Sequence, residues 1–138
     1  MPHWVAKYIG LPYEEGARGP LAWDCWGIIQ LIYTNERGIQ LPELPGLNAE
    51  QLARIHEVII TEAKNPEWTV VKEPTEGCIV GMGNGHQVMH HVGVYVPVDG
   101  GKVIHSRPKQ NTVAETVRQL SFRGLHVLNF YQHTLWPG

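Results

Sequence analysis

Cys25 stands in the stretch WDCWGII, where an acidic residue precedes it and Gly27 and an apolar run follow. Asp24 is a residue type that caps helices, so the stretch predicts a helix that ends near Asn35, before Gly38. Unpaired N–H groups and the helix dipole at such a start lower a thiol pKa and can stabilise an oxyanion. The position suits a nucleophile in acyl transfer. Position alone nevertheless favours the alternative, a buried structural thiol.

A thiol nucleophile needs a base, and histidine is abundant: eight occur, four of them between residues 86 and 105. The segment HHVGVYV is typical of a strand, in which side chains alternate between two faces. His91 then shares a face with Gly93, which leaves room beside it, and the valines of the other face belong to the core. We expect the start of the Cys25 helix to pack on the His91 face. The alternative is an exposed histidine on a half-buried strand.

The base in turn needs a partner that orients its ring. The segment PVDGG predicts a hairpin loop, after which KVIHS forms the next strand. If these two strands pair, His105 returns to the neighbourhood of His91, which gives the topology of a Cys/His/His relay. A surface histidine on a strand is an equally good interpretation of His105 from geometry alone.

A metal site is the competing chemistry. His86 and His90 are four residues apart in HQVMHH, a spacing that binds zinc on a helix. No glutamate lies between them as an HExxH site requires, and the segment is typical of a strand. We therefore expect no metal and no cofactor.

The elements that must position these residues follow from periodicity. The first half of the chain is typical of helices, at residues 3–9, after Cys25, and from a capping box at Asn48 and Gln51. The second half predicts strands, with Cys78 buried in one of them, and a short helix from a capping box at Thr112 and Glu115 to about residue 120. The predicted strands are WTVV, CIVGM, HHVGVYV, KVIHS and HVLNFY. Helices first and a meander of strands later predict an α+β fold with an antiparallel sheet.

Composition limits the function classes. A length of 138 residues predicts one domain, residues 1–138, and 43% hydrophobic content supports a core. The net charge of −2 without a basic block argues against nucleic acid as a partner. No apolar run is long enough for membrane insertion, and the N-terminus has no signal-peptide pattern. The two cysteines are expected to be reduced thiols.

Together these stretches resemble the NlpC/P60 family of cysteine peptidases, which are papain-like in architecture. YIGLPYEEGARGPLAWDCWGII resembles the family's opening, with Asp-Cys-x-Gly at a helix start. EPTEGCIVGM resembles its strand entry, HHVGVYV its His-Val-Gly-Ile-Tyr strand, and GKVIHS the strand of its third catalytic residue. Four motifs in order, spread over most of the chain, are more specific than any one of them.

The resemblance implies roles for individual residues. Cys25 matches the nucleophile, His91 the general base, and His105 the orienting third residue. Tyr13 matches a tyrosine beside the active site that contributes to the oxyanion site or to substrate binding. Asp24 precedes the nucleophile as in the family, and we interpret it as a helix cap because a carboxylate there faces backbone amides.

Two positions depart from the family pattern. Trp26 stands where serine is common, and Asp-Cys-Trp-Gly resembles the branch found in phage tail-assembly and tail-tip proteins; we interpret Trp26 as structural support. Cys78 stands where the family tends to have a structural aspartate, so we interpret it as a buried strand residue.

The resemblance also implies a substrate: the peptidoglycan stem peptide, cleaved between D-γ-glutamyl and diaminopimelate or lysine. We expect the protein to be made in the cytoplasm and delivered to the cell envelope as part of a phage tail, with other tail proteins as partners. Two alternatives remain open. One is an amidase or acyltransferase that uses the same site, and the other is a tail structural or assembly protein.

Overall fold

The computed structural model describes residues 4–41, 67–84 and 89–138. Its centre is a six-stranded antiparallel sheet in the order β1-β6-β2-β3-β4-β5. The strands are β1 (Trp68–Val71), β2 (Ile79–Gly83), β3 (Met89–Val96), β4 (Lys102–Arg107), β5 (Asn111–Glu115) and β6 (His126–His133). The helices are a 3-10 helix (Trp4–Lys7), α1 (Cys25–Arg37) and α2 (Val117–Phe122). The predicted α+β fold with an antiparallel sheet is confirmed.

Helix α1 begins at Cys25 because Asp24 caps it. The backbone of Asp24 is extended, and its Oδ1 accepts the N–H of Gly27 at 2.7 Å. The helix ends two residues beyond the predicted Asn35, because Gly38 adopts a left-handed φ of 65° and its N–H donates to the helix's last carbonyls. The first two turns are buried in the core, so Cys25 is carried by a rigid element.

The two faces of the sheet carry different cores. The valine face of β3 is completely buried and packs against α1, as predicted: Val92, Val94 and Val96 belong to the main core cluster. A second cluster, which includes Leu120 of α2, lies with Val80, Met82 and Val103. The body of α1 packs on this valine face of β3. The apolar surface of α1 is buried against the β-branched face, and the opposite face carries the histidines.

The predicted hairpin between β3 and β4 is confirmed. The register pairs Val94 with Ile104, Tyr95 with Val103 and Val96 with Lys102. The loop of residues 97–101 turns through Asp99 and two glycines with positive φ, a conformation that Gly and Asp tolerate. The pairing returns the chain so that β4 lies beside the strand that carries His91.

The helix predicted from Thr112 and Glu115 was wrong at its start. Residues 111–115 form β5, which pairs with β4, and α2 follows with Thr116 as its cap. Thr116 Oγ1 accepts the N–H of Gln119 at 3.1 Å, and the Gln119 side chain accepts the N–H of Thr116 at 2.8 Å. The sequence contains two consecutive capping-box patterns, and the pairing of residues 111–115 with β4 decides that the second one is used.

This assignment predicts opposite outcomes for two threonines. Thr116→Ala should lower the free energy of unfolding by about 1 kcal/mol, because it removes the cap of α2. Thr112→Val should be neutral or stabilising, because the buried hydroxyl of Thr112 has no hydrogen-bond partner among the described residues. Urea unfolding of both variants measures the two changes. A larger loss for the Thr112 variant would contradict the assignment.

The N-terminal helix predicted over residues 3–9 is a shorter 3-10 helix. The helix predicted from Asn48 lies outside the described residues, as does His86. Over residues 4–41, 67–84 and 89–138, no helix is long and apolar enough to cross a bilayer.

Candidate active site

The sulphur of Cys25 reaches β3 through its backbone. The Tyr95 N–H donates to the Cys78 carbonyl and the Tyr95 carbonyl accepts from the Gly77 N–H, both just before β2. The peptide N–H of Val92, three positions earlier on β3, therefore points towards β4. The β3–β4 register runs only from Val94 to Val96, and the Val92 N–H lies beside the Cys25 sulphur, where it lowers the thiol pKa. Helix α1 on one face of the sheet thus delivers its first residue to the backbone position next to His91.

A chain of hydrogen bonds begins at His91 and crosses three strands. His91 Nε2 lies 2.9 Å from His105 Nδ1, and His105 Nε2 lies 2.8 Å from Glu115 Oε1. Arg123 Nε donates to the other oxygen of Glu115 at 2.5 Å. His91 uses Nε2 in this chain, so Nδ1 is the ring nitrogen left for a thiol. Between the described residues no hydrogen bond joins Cys25 to the His91 ring, and active-site contacts of this kind tighten when substrate binds.

Gly93 makes the histidine contact possible. A Cβ at Gly93 would lie 2.5 Å from Val103 Cγ1, 2.7 Å from the Ile104 carbonyl oxygen and 3.2 Å from His105 Cβ. Because Gly93 has no side chain, β4 and the His105 side chain can approach β3 closely beside His91, as the sequence predicts. His105 is fully buried as a result, and His91 is only 8% exposed.

The protonation states at this site are set by burial. Burial raises the pKa of the Cys25 thiol to about 12. This effect of burial is larger than the opposing effect of the Val92 N–H, which lowers the pKa. The Trp26 N–H at the helix start lowers the pKa of the thiol, as expected, but burial outweighs that effect. Burial and the neighbouring His105 hold the pKa of His91 well below its usual range. The resting pair is a neutral thiol and a neutral imidazole, so the imidazole is free to accept a proton.

Asp24 and Arg18 form an ion pair behind the nucleophile. Arg18 Nη1 bonds to Asp24 Oδ2, and both side chains are largely shielded from water. Burial raises the pKa of Asp24, although the Gly27 N–H and Arg18 oppose that shift. The negative charge of Asp24 raises the pKa of Cys25, and the positive charge of Arg18 lowers it.

Neutralising Asp24 should therefore make the thiol more acidic. In Asp24→Asn the cap is kept, since asparagine caps helices as well as aspartate does, but the charge is lost. We expect the pH at which iodoacetamide alkylates Cys25 to shift downward. Arg18→Gln should shift it upward, because Asp24 is then left without its counter-charge. Shifts in the same direction for both variants would contradict this electrostatic picture.

Tyr13 lies beside the nucleophile, in the loop before α1. Burial and then the charges of Cys25 and Asp24 raise the pKa of its phenol to about 12, so it is a neutral donor at ordinary pH. The loop is fastened to β5: the Tyr13 N–H donates to Asn111 Oδ1 at 3.0 Å. Two backbone bonds join residues 10 and 11 to residue 112 at 2.8 and 3.0 Å.

The side chains of Trp26 and Cys78 are buried in the interior of the protein. Trp26 is 1% exposed and packs in the main core cluster. Cys78 is buried as predicted, but it lies just before β2 and not on the strand, because β2 begins at Ile79. Burial raises the pKa of its thiol to about 11. Both cysteines are free thiols. In the described ranges, no group of three or more His, Cys, Asp or Glu side chains could hold a metal ion.

The sequence profile of the NlpC/P60 family matches residues 10–129 of this chain. The chain belongs to the NlpC/P60 family. A search of curated proteins found no match. Among solved structures, the chain is similar to the crystal structure of the NlpC/p60 domain of the peptidoglycan hydrolase SagA, with a TM-score of 0.62 and 19% identity. The alignment covers 93% of this chain and 92% of that one, and it supports the shared fold.

Within this NlpC/P60 chain, sequence reasoning missed three charged residues at the site. Glu115 was interpreted as part of a helix cap, and Arg18 and Arg123 were given no role. The available signal was the alternation of residues 111–115, which places Glu115 on a strand beside the one that carries His105.

Proposed function

We propose that this chain is a cysteine peptidase that hydrolyses amide bonds in peptidoglycan stem peptides. The observation that carries the proposal is that the Cys25 sulphur lies beside the Val92 N–H, next to His91 in the chain. His91 uses Nε2 to contact His105, which leaves Nδ1 for the thiol. Family membership and the fold shared with the SagA domain, a peptidoglycan hydrolase by its title, support the substrate class.

The reaction starts from the neutral pair. His91 Nδ1 takes the thiol proton as the Cys25 sulphur attacks the amide carbonyl, which forms a tetrahedral intermediate with an oxyanion. The imidazolium then gives that proton to the leaving amine, the C–N bond breaks, and a thioester remains on Cys25. Water attacks the thioester with His91 as base, which releases the carboxylic acid and restores the thiol.

Two donors are available for the oxyanion. The Cys25 N–H lies at the first position of α1, where an N–H has no partner within the helix. The phenol of Tyr13 is neutral and lies close enough to Cys25 for the charge of a Cys25 thiolate to raise its pKa. The N–H of Gly27 is occupied by Asp24 and is not available.

Within this class we propose the bond between D-γ-glutamyl and diaminopimelate or lysine, and delivery to the envelope by a phage tail. The support is sequence resemblance: the Asp-Cys-Trp-Gly form at Trp26 is similar to phage tail-assembly and tail-tip proteins. Other tail proteins would then be the partners.

The test incubates the wild-type chain with defined stem tetrapeptides containing diaminopimelate or lysine and identifies the products by mass. We expect a new amine terminus and a dipeptide acid, and no products from Cys25→Ala. Products from the Cys25 variant, or none from the wild type, would refute peptidase activity. A covalent adduct of Cys25 with a different acyl donor would then favour the amidase or acyltransferase, and no adduct would favour the tail structural protein.

A further inference from the structure

We infer that Glu115 is a positioning residue that sets the direction of the hydrogen-bond chain through both histidines and so makes His91 Nδ1 the basic nitrogen. This inference rests on the proposed function for its role in catalysis. Its structural content, the protonated nitrogen of each ring, stands independently of any substrate.

The direction follows from what each group can donate. An ionised carboxylate only accepts hydrogen bonds, so His105 Nε2, 2.8 Å from Glu115 Oε1, must carry a proton. In a neutral ring the other nitrogen then has a lone pair, so His105 Nδ1 accepts. His91 Nε2, 2.9 Å from it, must therefore donate. The proton of His91 is thereby on Nε2, and its Nδ1 has the lone pair.

The surroundings of Glu115 keep its carboxylate ionised. Its side chain is 8% exposed, and Arg123 Nε donates to Oε2 at 2.5 Å. With its amide oxygen turned towards Arg123, Gln110 accepts from Nη1 at 2.5 Å and holds the guanidinium in place. Burial alone would raise the pKa of Glu115, but the bonds from Arg123 and His105 outweigh it and lower that pKa.

Without the carboxylate, the hydrogen bonds through the two histidines could run in either direction. If His105 carried its proton on Nδ1, it would donate to His91 Nε2, and the His91 proton would lie on Nδ1. The nitrogen left for Cys25 could then not accept the thiol proton. A pair of histidines in contact does not choose between these states, whereas an acceptor-only group at the far end does.

Other charges act on the pair and must be counted in any pH profile. Arg107, on β4, lowers the pKa of both histidines, and His90, on β3, lowers that of His91. Arg123 opposes protonation of His105, and Glu115 is the group that favours it. Loss of the Glu115 charge should therefore move the protonation of the pair to lower pH.

The experiment compares Glu115→Gln, Glu115→Asp and Glu36→Gln with the wild type. Glu36 is the matched control: its carboxylate accepts from the Tyr8 hydroxyl at 2.5 Å and from Lys7 Nζ at 2.6 Å. It lies in the last turn of α1, roughly 16 Å from Cys25 along the helix at about 1.5 Å per residue. Urea unfolding verifies that each variant folds.

The direct readout is the tautomer of each ring by NMR of histidine labelled with 15N, with signals assigned from His105→Gln and His91→Gln. We expect protonated Nε2 on both rings in the wild type and in the Glu36 variant, and mixed tautomers in Glu115→Gln. Unchanged tautomers in a folded Glu115→Gln would overturn the inference.

The catalytic readout is kcat/KM for the stem peptide as a function of pH. In Glu115→Gln we expect a loss of at least about tenfold and an acid limb moved to lower pH, with partial rescue by Glu115→Asp. The loss should be smaller than the roughly 10⁴-fold that follows when a directly bonded carboxylate is neutralised, because Glu115 acts through His105. If the acid limb of the pH profile does not move and the plateau value of kcat/KM does not change in Glu115→Gln, the role in catalysis is refuted. If the wild type cleaves no stem peptide, the proposed function fails while the tautomers still decide the inference.

Discussion

His91→Gln should reduce hydrolysis of stem peptide at pH 7 by about 10³-fold or more, within the range that general bases contribute. The loss is large because the pKa of the Cys25 thiol is raised to about 12. At pH 7 the thiol then stays protonated unless a base removes its proton. The residual rate of the variant should therefore rise about tenfold per pH unit, whereas the wild-type rate should level off above the pKa of the histidine pair.

The measurement is kcat/KM against pH for both proteins, with Cys25→Ala as the blank. His90→Gln is the matched control, because His90 precedes the base in sequence, whereas the hydrogen-bond chain begins at His91. Its variant should retain most of the activity. A residual rate in His91→Gln that does not depend on pH would contradict the neutral thiol and imidazole pair.

Gly93→Ala should damage both stability and catalysis. A methyl group there would meet Val103 Cγ1 at 2.5 Å and the Ile104 carbonyl oxygen at 2.7 Å, and a backbone atom cannot move aside without separating β3 from β4. Overpacking of this kind costs about 1–3 kcal/mol of unfolding free energy. The same displacement lengthens the 2.9 Å contact between His91 and His105, so kcat/KM should fall more than tenfold.

Urea unfolding and stem-peptide kinetics measure the two effects. Gly81→Ala is the control on the neighbouring strand, since the added methyl group would overlap the buried Met89 side chain and not the residues around the histidine pair. It should also cost stability, but it should leave kcat/KM nearly unchanged. Equal losses of activity in the two variants would show that general destabilisation, not the histidine spacing, is responsible.

Local signals were sufficient for the ends of α1 and for the turn between β3 and β4. The cap at Asp24, the stop at Gly38 and the turn at residues 97–101 depend on neighbours within a few positions, and the structure contains all three. Strand alternation likewise predicted that the valine face of β3 is the buried one. These features could be predicted because the residues that determine them are adjacent in sequence.

The features that could not be predicted depend on contacts between residues that are far apart in the sequence. The face on which α1 packs, and the use of residues 111–115 as a strand, depend on pairing partners elsewhere in the sheet. The sign of the Cys25 pKa shift depends on how much of the molecule covers the thiol, which periodicity does not specify. Glu115 was missed for the same reason: a local cap and a distant acceptor have the same sequence pattern.

The bonds that fasten the Tyr13 loop to β5 also determine when the site can form. They join residues 10, 11 and 13 to residues 111 and 112, across most of the length of the chain. Contacts of such wide separation form late in folding, because a long loop must close before they stabilise anything. During synthesis on the ribosome, Cys25 emerges well before the strand that carries Glu115. We therefore expect the nascent chain to stay without activity until β5 has left the exit tunnel.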